Sequence, residues 1–205
     1  MSACDDTFAW VKRIKKTYQP VEGFEDKIAP KRIEGFKKIL ATITDHCGET
    51  GGKSFLDLGC NFGYFCLELA KLGAITYGVE RDRRRSDTSK CLAEKLGLEG
   101  ASFFNEDALK FVEKLDNSKK IDYVILLNVF HHILVQDEAR GWAMFNKLID
   151  NSEGVFVMMR NNLKGWHLCD TRIKIPDAVV EASNATDYVV YPAVHGRVIY
   201  FFYKH

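Results

Sequence analysis

Long apolar runs are missing from this chain of 205 residues: none approaches the roughly 20 consecutive apolar residues that a membrane-crossing helix needs. The opening "MSACDDTFAW" carries acids where a secretory leader carries bases ahead of an apolar stretch, so the sequence leads us to expect a cytoplasmic protein with no membrane partner. A strong charge of either sign is also lacking. Twenty-nine Lys and Arg nearly cancel 28 Asp and Glu, for a formal net charge of +1, and this weighs against nucleic acid as the favoured partner. Proline is scarce, with four residues, and there are no repeats or low-complexity tracts, so a long flexible linker is not expected. The six cysteines (Cys4, Cys47, Cys60, Cys66, Cys91, Cys169) include no C-x-x-C pair and no histidine at zinc-ligand spacing. They are read as reduced thiols, with no metal.

What is present is an alternation. From Ser54 onward, short β-rich apolar runs exchange with stretches of helical periodicity, the pattern of a parallel sheet covered on both faces. Strands are expected at Lys53–Leu58, Ile75–Glu80, Ala101–Asn105, Ile121–Asn128 and Gly154–Arg160. Helices are expected over "GYFCLELAKLG", "SDTSKCLAEKLG", "DALKFVEKLD" and "ARGWAMFNKLID", giving five βα units. After a helix from Pro176 to Ser183, "TDYVVYPAVHGRVIYFFYK" reads as two strands joined at His195 and Gly196, and so short a joint forces an antiparallel hairpin. Residues 1–50 read as two helices, Asp6–Thr17 and Lys31–Cys47, forming an extension or lid on a domain that spans 51–205.

The stretch that carries chemistry is "KSFLDLGCNFGYFCLELAKLGAITYGVERD". A strand, a glycine turn and a helix place backbone N–H groups at the C-terminal edge of a sheet, where doubly wound folds bind ligands. Gly59 and Gly63 are expected there because a side chain would collide with the ligand or with the turn. Asn61 stands where a dinucleotide fingerprint has its middle glycine, the residue that lets a pyrophosphate approach, and this disfavours NAD. Asp57 at the strand end suits a cationic group, Glu80 ends the second strand where a carboxylate can accept from both ribose hydroxyls, and Asp107 follows the third within reach of an adenine amino group. Together they describe a nucleoside with a positively charged tail.

With "FLDLGCNFG" leading, the chain from about Lys53 to its C-terminus resembles the class I S-adenosylmethionine-dependent methyltransferases. The resemblance implies a Rossmann-like α/β fold with a mostly parallel seven-stranded sheet, an antiparallel C-terminal hairpin and helices on both faces. It implies S-adenosylmethionine as cofactor and S-adenosylhomocysteine as product. Asp57, Gly59, Cys60 and Gly63 would line the methionine part, Glu80 would hold the ribose, Asp107 and the Ala108 backbone the adenine, and Asn61 and Arg81 are further candidates for cofactor contact. The Asn128 carbonyl would meet the methionine amino group.

Methyl transfer from a sulfonium is an in-line displacement in which positioning and exclusion of water carry most of the catalysis, and a base is required only when the acceptor is protonated. "NVFHHILVQDEARGW" follows the fourth strand, and its His131 and His132 are the candidate catalytic or acceptor-contacting residues. The Asn/Asp-Pro-Pro-aromatic signature of methyltransferases acting on base or glutamine amino groups is absent here. The acceptor side is completed by Arg160, Trp166, His167 and Arg172 in "RNNLKGWHLCDTRIKIP", and by Tyr18 and Gln19 in "YQPVEGF". The expected acceptor is a small molecule or saccharide, methylated at oxygen. An RNA-modifying methyltransferase, a non-catalytic S-adenosylmethionine-binding subunit and an NAD-dependent oxidoreductase are the alternatives. "ERDRRRSD" reads as solvated loop and first-turn charge, although a phosphorylated acceptor would be compatible with it.

Overall fold

The computed structural model describes residues 3–116, 118, 120–159 and 175–205. Its helices are α1 (Ala3–Arg13), α2 (Pro30–Cys47), α3 (Tyr64–Lys71), α4 (Arg83–Leu96), α5 (Ala108–Lys114), α6 (Phe130–Gln136), α7 (Glu138–Asp150) and α8 (Ile175–Ala182). Its strands are β1 (Ser54–Leu58), β2 (Ile75–Val79), β3 (Ala101–Phe104), β4 (Ile121–Leu127), β5 (Ser152–Met159), β6 (Asp187–Val194) and β7 (Arg197–Tyr203). The seven strands run in the order β3-β2-β1-β4-β5-β7-β6. Two compact units divide the chain, Met1–Ala108 and Leu109–His205.

In the first unit β1 pairs in parallel with β2, and β2 with β3. β1 is buried on both faces, so Phe55, Leu56 and Leu58 on either side of it are all shielded, whereas β3 leaves Ser102 and Phe104 exposed. Gly97 ends α4 in the left-handed conformation (φ +65°) that a helix terminus favours in glycine. A second glycine is required by packing: a Cβ on Gly78 would lie 2.5 Å from Phe103 Cδ1 and 2.9 Å from Cys60 Sγ. Phe103 is itself held in a buried cluster with Val11, Val21, Phe62 and Leu92, so it has nowhere to go. Gly78→Ala is expected to cost about 1–3 kcal/mol of unfolding free energy through overpacking. Urea denaturation checks this, and a loss below ~0.5 kcal/mol would show that the ring can yield.

The N-terminal helices form somewhat differently from the sequence reading. α1 starts and stops earlier than Asp6–Thr17, because the chain turns at Ile14, whose N–H donates to the Val11 carbonyl (3.1 Å) and whose side chain joins the same cluster. The cysteine reading also needs correction. Cys4 and Cys91 form a disulfide (Cα–Cα 5.4 Å) that ties α1 to α4 across 87 residues of sequence. Spacing along the chain could not reveal it, since the pair meets only once α1 lies on α4; in the chain-entropy account so long a loop contributes about 4–5 kcal/mol. Cys47, Cys60 and Cys66 are buried thiols outside any disulfide, as expected, and Cys169 lies outside the described residues.

In the second unit β4 and β5 are parallel, while β7 is antiparallel to both β5 and β6. The hairpin turns at His195 (φ +51°) and Gly196 (φ +72°), and two successive positive φ values are the tight-turn geometry that matches strand twist. Pro192 lies where the β6 register shifts between Tyr191 and Val194, on a strand at the end of the order, and its missing N–H costs no ladder bond there. Rings of Tyr123, Phe156 and Phe201 form one aromatic cluster, and Phe130, Trp142, Phe145 and Phe202 another. β5 begins two residues before the expected Gly154. α6 lies where no helix is expected, and "FHHILVQ" is too short for a helical period to stand out. No described helix is long and apolar enough to cross a membrane.

Candidate cofactor site

The glycine turn between β1 and α3 contains three residues with positive φ, Gly59 (+75°), Asn61 (+56°) and Gly63 (+75°). Asparagine tolerates that region better than other side-chain-bearing residues, which explains how it can stand in a glycine position. The turn is pinned to the neighbouring strand: the N–H groups of Gly59 and Cys60 both donate to the Val79 carbonyl, at 2.8 and 3.1 Å. For Gly63 the expected reason needs correcting. A Cβ there would lie 2.6 Å from Phe103 Cε1 and 3.0 Å from Ser89 Oγ, so internal packing, together with the left-handed backbone, demands glycine.

Glu80 organises the site. Its side chain is buried, one carboxylate oxygen accepts the Asn61 N–H (3.0 Å), and the other accepts the Asp82 N–H (2.9 Å). Both oxygens are thereby oriented at the mouth of the turn, and each retains a lone pair for a further donor. Asn105, which the sequence reading passed over, holds the same loop from behind: its Nδ2 donates to the carbonyls of Glu80 (3.0 Å) and Arg81 (2.9 Å). Its place directly after β3 was the available signal. Asn61 Oδ1 is buried at the turn and has no hydrogen-bond partner within the protein, which leaves one acceptor unsatisfied there.

Asp57 at the end of β1 is 3 % exposed. Burial, reinforced by the nearby Glu80 charge, pushes its carboxyl up to about 8. A cation brought beside it would restore ionisation. Cys60 and Cys66 are fully buried thiols held well above their usual range by the same burial, and the Cys60 side chain packs with Phe62 and Phe103, so this residue offers the turn only its backbone. Asp107 and Ala108 are half-buried where α5 begins, and Arg81 is exposed.

The residues expected on the acceptor side divide. Gln19 is buried, and its Oε1 accepts the Tyr64 N–H (3.3 Å) at the first turn of α3, immediately after the glycine turn. Tyr18 is partly exposed, with the Arg32 guanidinium 4.7 Å from its ring centroid. In the charge run, Asp82 caps α4 by accepting the Arg85 N–H (3.1 Å), Arg83 pairs with Asp87 (3.6 Å) and Arg84 lies 5.7 Å over the Trp10 ring. Within the second unit, Asn128 is left-handed (φ +59°) and its Oδ1 accepts from Arg197 Nη1 (3.0 Å), a partner 69 positions away that no local pattern signals. His131 and His132 are adjacent on α6 with ring centroids 4.0 Å apart, His131 buried and His132 exposed. Arg160, Trp166, His167 and Arg172 lie outside the described residues. Among the described residues no group of three or more His, Cys, Asp or Glu could hold a metal.

Comparison with known proteins gives a consistent family. Residues 49–188 match the family described as "Methyltransferase domain". The ubiquinone biosynthesis O-methyltransferase of Maricaulis maris is 32 % identical over 97 residues, 45 % of this chain and 37 % of the relative. The O-antigen chain terminator bifunctional methyltransferase/kinase WbdD of Escherichia coli is 34 % identical over 79 residues, 38 % of this chain and 11 % of the relative. The matches thus span well under half the length of these curated relatives. A structure of WbdD superposes with TM-score 0.74 and 21 % identity over 98 % of this chain and 46 % of that one. The magnesium protoporphyrin IX methyltransferase ChlM of Synechocystis PCC 6803, solved with bound S-adenosylmethionine, superposes with TM-score 0.62 and 16 % identity over 100 % of this chain and 92 % of that one.

Proposed function

The chain belongs to the methyltransferase-domain family, and from that premise we propose that it transfers a methyl group from S-adenosylmethionine to an oxygen of a small-molecule or saccharide acceptor. The observation that carries the reading is Glu80, a buried carboxylate fixed by two amides at the end of β2 with a lone pair left on each oxygen. That arrangement suits two adjacent hydroxyls on a ribose. The unpartnered Asn61 Oδ1 and the charge-starved Asp57 fit the same ligand, which brings hydroxyl and amino donors together with a sulfonium.

When bound, S-adenosylmethionine supplies an electrophilic methyl group. The chain's own residues hold and orient it: Glu80 and Arg81 at the ribose, Asp107 and the Ala108 backbone at the adenine, and Asp57, Gly59, Cys60, Asn61 and Gly63 along the methionine. The Asn128 carbonyl would accept from the amino group. His131 and His132 follow the fourth strand, where methyltransferases of small molecules commonly carry a histidine on the acceptor side; either would take the proton if the acceptor is a hydroxyl. Residues 51–205 form the methyltransferase domain in this reading, and 1–50 an extension whose Gln19 braces the start of α3. Oxygen as the methylated atom accords with the named O-methyltransferase relative, and a saccharide with the O-antigen enzyme.

Calorimetric titration of the purified protein with S-adenosylmethionine, S-adenosylhomocysteine and NAD tests the cofactor. Micromolar binding of the first two with none of NAD is expected. Binding of NAD alone would overturn the reading, and the first two binding without turnover on any hydroxyl acceptor would turn it towards a non-catalytic subunit.

A further inference from the structure

The Cys4–Cys91 cross-link joins two elements that both touch the glycine turn. Trp10 of α1 lies 6.2 Å from Phe62, ring centroid to ring centroid. Val11 is fully buried in the cluster that contains Cys60 and Phe62 of the turn and Leu92 and Ala93 of α4. On α4, Ser89 Oγ lies 3.5 Å from the Asn61 carbonyl. The turn is therefore backed by α1 and flanked by α4.

α1 is held by a small apolar face and by the cross-link. At 11 residues it is shorter than the roughly 12–15 residues at which an isolated helix becomes even marginally stable, so its order depends on docking and on the cross-link. It docks through Phe8, Trp10, Val11 and, just beyond its end, Ile14. The Arg84 guanidinium and the Lys95 amine, 5.7 and 5.6 Å over the Trp10 and Phe8 rings, add contacts of the weakly stabilising exposed kind.

We propose that the Cys4–Cys91 cystine is a redox modification site, opened by a dithiol reductant, and that its opening releases α1 and loosens the cofactor turn. The effect on cofactor affinity rests on the function proposed above. Cys4 is half-buried while Cys91 is 7 % exposed, so the sulfur open to attack is that of Cys4. A thiolate of the reductant attacks Cys4 Sγ, a mixed disulfide forms there, and the S–S electron pair leaves on Cys91 Sγ, which takes up a proton. The reductant's second thiolate then attacks its own sulfur in the mixed disulfide, and Cys4 departs and is protonated. Two electrons have passed to the protein, two thiols remain on it and the reductant is a disulfide. Oxidation by a disulfide of the same class reverses each step. In a reducing compartment the latch stands open, and oxidation closes it.

Hydrogen exchange on the full chain, oxidised, reduced with dithiothreitol and then reoxidised, tests this alongside the Cys4→Ser variant. Amides of residues 3–13 and 59–63 are expected to exchange at least about tenfold faster after reduction and to recover on reoxidation, while C4S exchanges fast throughout. S-adenosylmethionine is expected to bind the reduced wild type and C4S several-fold more weakly than the oxidised protein, with dithiothreitol changing nothing in C4S. Equal exchange of α1 in the oxidised and reduced forms would overturn the latch, and faster α1 with unchanged 59–63 would overturn its coupling to the turn. If S-adenosylmethionine binds neither form while both segments still loosen on reduction, the latch stands and the methyltransferase reading falls.

Discussion

Glu80→Ala is expected to weaken S-adenosylmethionine binding by at least about a hundredfold. Two losses combine. The ribose loses a charged acceptor, and the N–H groups of Asn61 and Asp82 lose the carboxylate that fixes both sides of the site, charge-assisted bonds worth about 1.5–3 kcal/mol each. Because the carboxylate braces the empty protein too, the melting temperature should fall in the absence of ligand. Glu80→Gln separates the two: its amide oxygen can still serve one N–H while its NH2 opposes the other, so part of the affinity should survive. Titration calorimetry and thermal melts on the three proteins decide. Unchanged affinity in a folded Glu80→Ala protein would remove Glu80 from the ribose and with it the observation on which the functional reading leans most.

The second large effect is on pH. With its carboxyl pushed up to about 8, Asp57 is mostly protonated in the ligand-free protein at neutrality. A sulfonium and an ammonium favour its ionised form, so binding should release a proton, and affinity should rise from about pH 6 to about pH 8 by up to roughly fiftyfold before levelling off. Stability of the ligand-free protein should move the other way. The folded state holds this proton over the range from the ordinary carboxyl value of 3.8 to about 8 while the unfolded chain has lost it, so this group's contribution to stability falls as pH rises through that window. Calorimetry in buffers of different ionisation enthalpy counts the proton directly. An affinity flat from pH 6 to 9, or an Asp57→Asn variant with the same slope as wild type, would detach Asp57 from the cationic end of the cofactor.

Much of the fold could be read from sequence because its signals are local. A five-residue apolar strand, a glycine turn and a helix of regular period are each specified within about a dozen residues, and β1, α3 and β2 fell where periodicity placed them. The His195–Gly196 joint carried enough turn chemistry to give an antiparallel ending. α6 escaped because seven residues give too few turns for the period to stand out beside a pair of histidines. The site was legible in its acids and glycines and illegible in what braces them. The disulfide, the Asn105 bridge to two carbonyls, the Gln19 contact to α3 and the Arg197 bond to Asn128 join residues from 24 to 87 positions apart, and no spacing rule reaches across such distances. The same holds for Gly63 and Gly78, both of which face the Phe103 ring on a strand that follows them.

The place of β7 sets an order of events during biosynthesis. It comes last of the seven strands along the chain yet lies between β5 and β6, both translated earlier. A nascent chain carrying β5 and β6 alone has two unsatisfied edges and no strand to join them. The tight turn lets β6 and β7 pair with each other first, and the finished hairpin can then add to β5 along Val155–Met159. This half of the protein therefore completes its hydrogen bonding only after Tyr203 has cleared the ribosome exit tunnel, and until then the apolar β5 edge is what a chaperone would have to shield.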